Sequence, residues 1–479
     1  MTLISFLAFM ALFLVIGLLS FLRAKQTKRD YYLADRNVSP WMTGLSAVAT
    51  NNSGYMFIGV IGYTYAVGLA SIWLMIGWIL GDYLASTFVH RELRKATKRT
   101  EEASFSAVLA RWGGTEFAIW RRLAAIVTII FLGAYAAAQI SAGGKALHGV
   151  FDWAPETGAI LVAAIVLAYS VAGGLRASIW TDTAQSAVMI AAMALLLIVG
   201  VYGLGGIDST IAKMGEVEGF LDWFPDDLLF PGALGMILFV VGWMFAGLSV
   251  IGQPHVMVRF MALDNPGHMR RARGWYYGYF IPFYLLATGV GMLSRIYLPE
   301  LDGLDPELAL PTMARELLPP ILVGLILAGI FAATMSTADS LVLSCSAALT
   351  HDLLPRKLER SWELKGATAL VTLFALIIAL GENQSVFSLV ILAWSTLASA
   401  FGPLLILYAL GRTISERHAI LIMLVGVSTA LYWRYLDWHL DVYEGMPAIL
   451  MGLIIGWLLS DKRAPLTIAD KPAEGQATS

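Results

Sequence analysis

The chain has 479 residues, of which 58% are hydrophobic and only 14% are charged, well below the roughly 25% charged residues of soluble globular proteins. A mean hydropathy of +0.71 excludes a soluble globular domain, and the formal net charge of −2 gives no support to nucleic-acid binding. The sequence therefore predicts an integral membrane protein whose first partner is the lipid bilayer.

Apolar segments recur along the whole chain and are separated by short polar loops. Their lengths approach or exceed the roughly 20 apolar residues that span the hydrocarbon core, so an all-α, polytopic protein of about thirteen transmembrane helices is expected. The predicted spans are residues 3–22, 39–66, 69–90, 120–147, 156–173, 178–204, 230–252, 274–297, 318–350, 366–381, 386–410, 418–434 and 446–460.

The distribution of basic residues predicts the orientation of the chain. The first apolar segment has no basic residue before it, and a basic loop follows it from Arg23 onward, which indicates a retained helix rather than a cleaved signal peptide. With alternate loops on the cytoplasmic side, 27 of the 32 Lys and Arg residues are cytoplasmic, as the positive-inside rule requires. We expect a multi-pass protein of the cell membrane with its N-terminus outside and its C-terminus in the cytoplasm.

The second span contains a polar patch, residues 46–55, inside an otherwise apolar segment. Such residues form helices poorly, and an unwound backbone at membrane depth is tolerated only where it is buried or lines a cavity, where its carbonyls can bind a cation. Alternatively, the polar side chains only form hydrogen bonds between helices. A second weak point, residues 242–255, lies five spans further on, and this spacing is typical of transporters built from inverted repeats.

The ninth span places Ala333, Ser336, Thr337 and Ser340 on one helical face, because residues three and four apart are neighbours on a helix. Hydroxyl and carbonyl oxygens are suitable ligands for a hard cation such as sodium. Asp339 in this span and Asp182 in the sixth are functional candidates, since carboxylates are rare inside membranes. For Asp82, nearer a predicted helix end, we expect a structural or interfacial role.

Sequence signatures of other functions are absent from the chain. Phosphate-loop, zinc-protease, hydrolase and paired cysteine motifs do not occur, which leaves transport driven by an ion gradient as the favoured function. No His lies where it could complete a catalytic dyad with Ser336 and Asp339, so we do not expect an enzyme.

Several longer motifs, in order, resemble the sodium/solute symporter family and, within it, the bacterial sodium/proline symporters. The resemblance covers nearly the whole chain and is carried by residues 31–36, 173–175, 180–182, Gln185, 252–255, 259–261, 333–337, 345–350, Asp352 and 401–403.

The resemblance implies a LeuT-type core of two inverted five-helix repeats. It divides the chain into an N-terminal helix with a basic loop (1–38), a first repeat (39–204), an external acidic loop (205–229), a second repeat (230–411), two additional helices (412–460) and a disordered cytoplasmic tail (461–479). The oligomeric state is not implied.

The resemblance also implies two cation sites. Sodium, the co-transported ion, is expected at the backbone carbonyls of Ala49, Asn52 and Ala333 and the hydroxyls of Ser336 and Thr337. Some members hold a second sodium at positions that correspond here to Asp182, Asp339 and Ser340. The number of sodium ions, or a proton in place of one of them, stays open.

The expected solute is small and organic, with proline or another amino acid ahead of sugars, carboxylates and vitamins. The solute-binding residues implied by the resemblance are Ser53, Gly54, Tyr55, Tyr135, Gln139, Phe245, Ser249 and Trp394. The chain departs from the proline carriers, which have Asp at position 51, Trp at position 55 and aromatic residues near Ala246 and Val250. A transporter-like sensor of solute is the alternative function.

Overall fold

The computed structural model describes residues 1–21, 27–299, 305–354, 361–381 and 385–462. The predicted cytoplasmic tail lies outside the described residues from position 463 onward. Eighteen α-helices occupy the described ranges. Those of the first half are α1 (Thr2–Phe21), α2 (Lys28–Leu33), α3 (Pro40–Gly54), α4 (Val60–Val67), α5 (Ile72–Thr100), α6 (Phe105–Ala110), α7 (Ala118–Phe151), α8 (Pro155–Gly203) and α9 (Ile207–Met214).

The second half of the chain continues as helices, with one minimal strand pair. Its helices are α10 (Ala233–Leu248), α11 (Pro254–Met261), α12 (Met269–Tyr297), α13 (Ala309–Leu317), α14 (Pro320–Ala347), α15 (Ser361–Ala379), α16 (Val386–Ala409), α17 (Glu416–Tyr435) and α18 (Gly445–Leu459). Strands β1 (Arg412–Thr413) and β2 (Asp461–Lys462) pair antiparallel, with Arg412 opposite Lys462.

Eight helical stretches of the described residues are long and apolar enough to cross a membrane. One of them, Pro40–Thr100, runs for 61 residues and contains the second and third predicted spans. The fifth and sixth predicted spans are joined in α8, which bends at Gly174, where φ is 59°. Three shorter apolar helices match the first, fifth and thirteenth predicted spans. The chain is a multi-pass membrane protein, and the total of thirteen transmembrane helices stays a prediction.

Both predicted weak points interrupt their helices. At the end of α3, Ser53 has a φ of 22° and a ψ of −177°, and a π-helical turn, Tyr55–Gly59, leads into α4. After α10 the chain forms a 3₁₀ turn, Ser249–Gly252, and becomes extended at Gln253 before α11 begins. Interrupted helices at corresponding positions of two repeats free backbone groups for binding.

The first interruption is buried at the centre of the bundle. Helix α3 packs against α8, α12 and α14, and α14 also packs against α7. Every residue of α14 from Val323 to Leu343, except the half-buried Leu325, is buried. The hydroxyl face of α14 is therefore enclosed by protein rather than by lipid.

Ion pairs lie toward the two ends of α7. At one end Arg121 Nε on α7 donates to Asp352 Oδ1 at 2.8 Å, and both side chains are buried. At the other end Lys145 Nζ donates to Glu307 Oε2 at 2.6 Å. Glu307 also accepts the Val386 and Phe387 amides at the start of α16, where a carboxylate is favoured by the helix dipole.

Candidate functional site

The interruption in α3 meets the hydroxyl face of α14 directly. Thr337 Oγ1 donates to the Thr50 carbonyl at 2.8 Å, across 287 positions of sequence. The five residues expected to bind sodium, Ala49, Asn52, Ala333, Ser336 and Thr337, are all 0% exposed. The structure thus brings the two halves of the expected sodium site together.

Several polar atoms beside this contact have no hydrogen-bond partner within the described part of the chain. They are Ser336 Oγ and both side-chain polar atoms of Asn52. Because an unsatisfied buried polar group costs about 1–3 kcal/mol, such atoms are normally paired with water, an ion or another group. The chemistry of this donor set, hydroxyl and neutral carbonyl oxygens, suits a monovalent hard cation.

Asp182, expected in the second cation site, forms a buried ion pair that sequence analysis did not foresee. Arg259 Nη2 donates to Asp182 Oδ2 at 3.2 Å, and both side chains are 0% exposed. Ser46 Oγ donates to the same oxygen at 2.6 Å. Arg259 also donates to the hydroxyl of Ser340, so two of the three expected residues share one arginine.

Asp339 is the third residue of that expected site. Its side chain is 2% exposed, and it lies beside Ser340 on α14. Asp182 Oδ1 has no hydrogen-bond partner among the described residues. The second cation site stays a prediction, and any cation there would share the carboxylate of Asp182 with the guanidinium of Arg259.

The positive-inside rule places Arg259 in a cytoplasmic basic loop, whereas the structure places it in α11 with a buried side chain. The only sequence signal was its presence in the 259–261 motif, because charge alone assigns an arginine to a loop. Asp82, for which a structural or interfacial role is expected, is 0% exposed within α5 and accepts hydrogen bonds from Tyr276 and Tyr277, a setting that agrees with a structural role. Helix α5 extends ten residues beyond the predicted end of its span, to Thr100.

Five of the expected solute-binding residues surround the interruption in α3. The Gly54 amide donates to Gln139 Oε1 at 2.8 Å. Tyr135 OH donates to Ser53 Oγ at 3.2 Å, and the same oxygen accepts the Tyr55 amide at 3.0 Å. These contacts join the interrupted helix to α7 through side chains that are at most 2% exposed.

The other three expected residues lie at the second interruption. Ser249 Oγ donates to the Phe245 carbonyl at 2.7 Å, and Phe245 is half-buried. Gln253 Nε2 bridges the carbonyls of Ser249, at 3.1 Å, and Trp394, at 2.8 Å. The Trp394 and Tyr135 ring centroids are 6.4 Å apart, so aromatic packing brings the two groups of residues next to each other.

Comparison with known proteins identifies the family of this chain. The sequence pattern of the sodium:solute symporter family matches residues 31–426. The chain belongs to the sodium:solute symporter family. Membership makes it a membrane transporter rather than an enzyme, with sodium as the co-transported ion and a small solute as its substrate.

Proline transporters are among the relatives of this symporter. The sodium/proline symporter of Salmonella typhimurium is 30% identical over 453 residues, which cover 91% of this chain and 88% of the relative. The high-affinity proline transporter PutP of Bacillus subtilis is 29% identical over 458 residues, which cover 93% of this chain and 95% of the relative.

Solved structures establish the fold of this symporter as LeuT-type. A Na+-coupled sialic acid symporter in a substrate-bound outward-open state has a TM-score of 0.78 at 18% identity, with 97% of this chain and 99% of that chain covered. MhsT in complex with L-phenylalanine has a TM-score of 0.58 at 15% identity, with 88% of this chain and 99% of that chain covered.

One buried residue of this symporter was not among the expected solute-binding side chains. His255 is the second residue of α11 and is 0% exposed, and its ring centroid lies 5.3 Å from that of Tyr135 and 6.2 Å from that of Trp394. Both ring nitrogens lack a hydrogen-bond partner among the described residues. Its position after Gln253 and Pro254, at the second weak point, was the sequence signal.

A small cavity lies beside the buried ion pair. It has a volume of about 30 Å³, and its lining includes Arg259, Ser340, Tyr32 of α2 and Ser104 before α6. That volume holds about two water molecules, so there is room for water next to Arg259.

Proposed function

We propose that this symporter imports proline or another small amino acid, with sodium bound between the interruption in α3 and the hydroxyl face of α14. The single observation that carries the sodium site is the hydrogen bond from Thr337 to the Thr50 carbonyl, beside the unpartnered Ser336 hydroxyl. The relatives named proline transporters support the substrate class.

The solute is assigned to the space between the two interrupted helices. Unpartnered polar atoms there, within the described residues, are Tyr55 OH, Gln139 Nε2, Gln253 Oε1 and both nitrogens of His255. They offer both donors and acceptors, as an amino-acid zwitterion requires. A polar pocket of this kind rejects solutes that leave its groups unpaired.

Sodium and solute are coupled because they use the same short segment of backbone. Ala49 and Asn52 supply the proposed sodium carbonyls, and Ser53 to Tyr55 face the solute. Sodium that fixes this backbone raises solute affinity, and the solute raises sodium affinity by the same factor. Rocking of one helix bundle then exposes both ligands to the other side of the membrane.

The sodium gradient supplies enough free energy for accumulation. A membrane potential of roughly 100 mV contributes about 2.3 kcal/mol per charge, and a tenfold sodium gradient adds about 1.4 kcal/mol. One sodium ion per cycle could therefore sustain a solute gradient of several hundredfold. Two ions would roughly square that limit.

We assign the N-terminus to the outside and the C-terminus to the cytoplasm. The support is the concentration of Lys and Arg in alternate loops, which the positive-inside rule places in the cytoplasm. The cavity beside Arg259 and the buried ion pair of Arg121 with Asp352 then lie toward the cytoplasm, and the ion pair of Lys145 with Glu307 lies toward the external side.

Uptake into proteoliposomes tests this function. Labelled proline, other amino acids, a sugar and a carboxylate are offered with and without an inward sodium gradient. We expect accumulation of proline or another amino acid only with sodium. Accumulation of a sugar or carboxylate instead would refute the substrate class, and sodium-dependent binding without uptake would indicate a sensor.

A further inference from the structure

Asp82 is a buried carboxylic acid that the proposed sodium and solute sites do not use. It lies in the membrane-spanning part of α5 at 0% exposure. Tyr276 OH donates to its Oδ2 at 2.7 Å, and Tyr277 OH donates to its Oδ1 at 2.7 Å. Ionisable groups at membrane depth are costly and mark ion or proton pathways in transporters.

Hydrogen bonds connect this carboxyl group to the interrupted helix. Tyr276 OH, which donates to Asp82, accepts from Asn51 Nδ2 at 2.5 Å. Asn51 lies two residues before the interruption at Ser53, and it is the neighbour of Asn52, whose carbonyl we assign to sodium. A single tyrosine hydroxyl therefore separates the carboxyl group from the amide next to the sodium site.

In the opposite direction, two hydroxyl groups extend from Asp82 toward Arg273. The Tyr277 and Ser86 hydroxyl oxygens are 2.6 Å apart, and the half-buried Arg273 donates to Ser86 Oγ at 2.9 Å. A hydroxyl group both donates and accepts, so Tyr277 and Ser86 can pass a proton to Asp82, whereas the guanidinium of Arg273 only donates. The pair of hydroxyls therefore ends at the buried Ser86, beside the charged Arg273.

The ionisable groups that act on Asp82 are Tyr276, Tyr277 and Arg273, all on α12. Helices α3 and α10 carry no ionisable group along Pro40–Gly54 and Ala233–Leu248. The other ionisable groups of the elements packed around Asp82 are Arg270, Arg271, Tyr279, Tyr284, Arg295 and Tyr297 on α12, His255 and Arg259 on α11, Tyr408 on α16, and Tyr83, His90, Arg91, Glu92, Arg94, Lys95, Lys98 and Arg99 on α5 itself. Of these, Arg259 is paired with Asp182, and His90 stacks on Phe260 with ring centroids 4.0 Å apart.

We propose that Asp82 is a proton-binding site that sets the sodium affinity of this symporter through Tyr276 and Asn51, an inference that rests on the proposed function. Ionised Asp82 accepts from both tyrosines, which leaves the Tyr276 oxygen free to accept from Asn51. A proton on Asp82 converts one carboxyl oxygen into a donor. When the Tyr276 oxygen accepts a hydrogen bond from this protonated carboxyl group, its own hydrogen turns toward Asn51, whose amide must then present Oδ1 instead of Nδ2.

The two protonation states therefore favour different orientations of the Asn51 amide. The described orientation, with Nδ2 toward Tyr276, is the one that fits ionised Asp82. Protonation disturbs the backbone beside Asn52 and weakens sodium binding. We expect the half-saturating sodium concentration for uptake to rise about tenfold between about pH 8 and about pH 5.5, a coupling of ordinary size.

Two variants test the proposal in proteoliposomes. Asp82→Asn offers a donor group on one side and an acceptor oxygen on the other, as protonated Asp82 does, so its sodium requirement should stay at the acid value at every pH. Tyr276→Phe keeps the acid but removes the connecting hydroxyl, so its sodium requirement should also become independent of pH. Tyr279→Phe is the matched control, because its hydroxyl donates to the Ser186 carbonyl at 2.8 Å instead.

The outcomes separate this inference from the proposed function. A flat response in both test variants, with the wild-type response in Tyr279→Phe, supports the proton site. Wild-type pH dependence in Asp82→Asn or Tyr276→Phe, or none in the wild type, overturns it. Absence of sodium-driven uptake at every pH would instead refute the proposed function. If Asp82→Asn does not fold, as judged by gel filtration, Tyr276→Phe decides the test.

Discussion

The hydroxyl of Thr337 is the most direct test of the sodium site. Replacement of Thr337 by Ala removes the donor to the Thr50 carbonyl, a 2.8 Å contact between residues that are both 0% exposed, and one proposed sodium ligand. Loss of a buried partner costs about 1–3 kcal/mol. If that cost falls on the sodium-bound state, the half-saturating sodium concentration rises about 5- to 150-fold.

Sodium titration of initial uptake rates measures this effect at a fixed solute concentration. Thr337→Ser should recover most of the sodium affinity, because it retains the hydroxyl group. Thr372→Ala is the matched control, since Thr372 is also buried but donates to the Thr368 carbonyl of its own helix at 2.9 Å. Equal sodium requirements in Thr337→Ala and Thr372→Ala, with both proteins intact, would refute the assignment.

Two further predictions concern stability, and thermal unfolding in detergent measures both. Gly81→Ala should destabilise the packing of α5 on α10 by about 1–3 kcal/mol or more, because the new Cβ would lie 1.8 Å from the Met244 carbonyl oxygen. Gly278→Ala is the control and should be tolerated, because a Cβ at that position meets no atom within 4 Å. Arg259→Met should cost about 3–5 kcal/mol by leaving Asp182 unpaired. Addition of Asp182→Asn to that variant should recover much of the loss, and failure to recover any would refute the pairing argument.

The membrane-spanning architecture was predictable because its signals are local. Runs of apolar residues indicate membrane spans by their length, and polar residues within them indicate interruptions. Both predicted weak points, residues 46–55 and 242–255, contain the observed interruptions at Ser53 and Gln253. Helical spacing likewise predicted the hydroxyl face that includes Ser336 and Thr337.

Helix ends were less predictable than helix positions. Helix α5 continues to Thr100, ten residues past the predicted span end at residue 90. Hydropathy marks where a segment leaves the hydrocarbon, whereas the helix continues as long as its backbone hydrogen bonds and packing are favourable. The polar C-terminal part of α5 places Arg94 where it donates to the Leu263 carbonyl at 2.6 Å. Because these two residues are far apart in the sequence, no local sequence pattern predicts this contact.

The sequence by itself determined the membrane environment, the family, the interrupted helices and the residue types available for sodium. Only the tertiary structure decided which of these residues meet, because the deciding contacts join distant parts of the chain. Thr50 meets Thr337, Asp182 meets Arg259, and Asp82 meets Tyr276 across 287, 77 and 194 positions, respectively. A charged residue is the same in the sequence whether it lies in a cytoplasmic loop or in a buried ion pair. The packing of other helices decides which of these environments its side chain has.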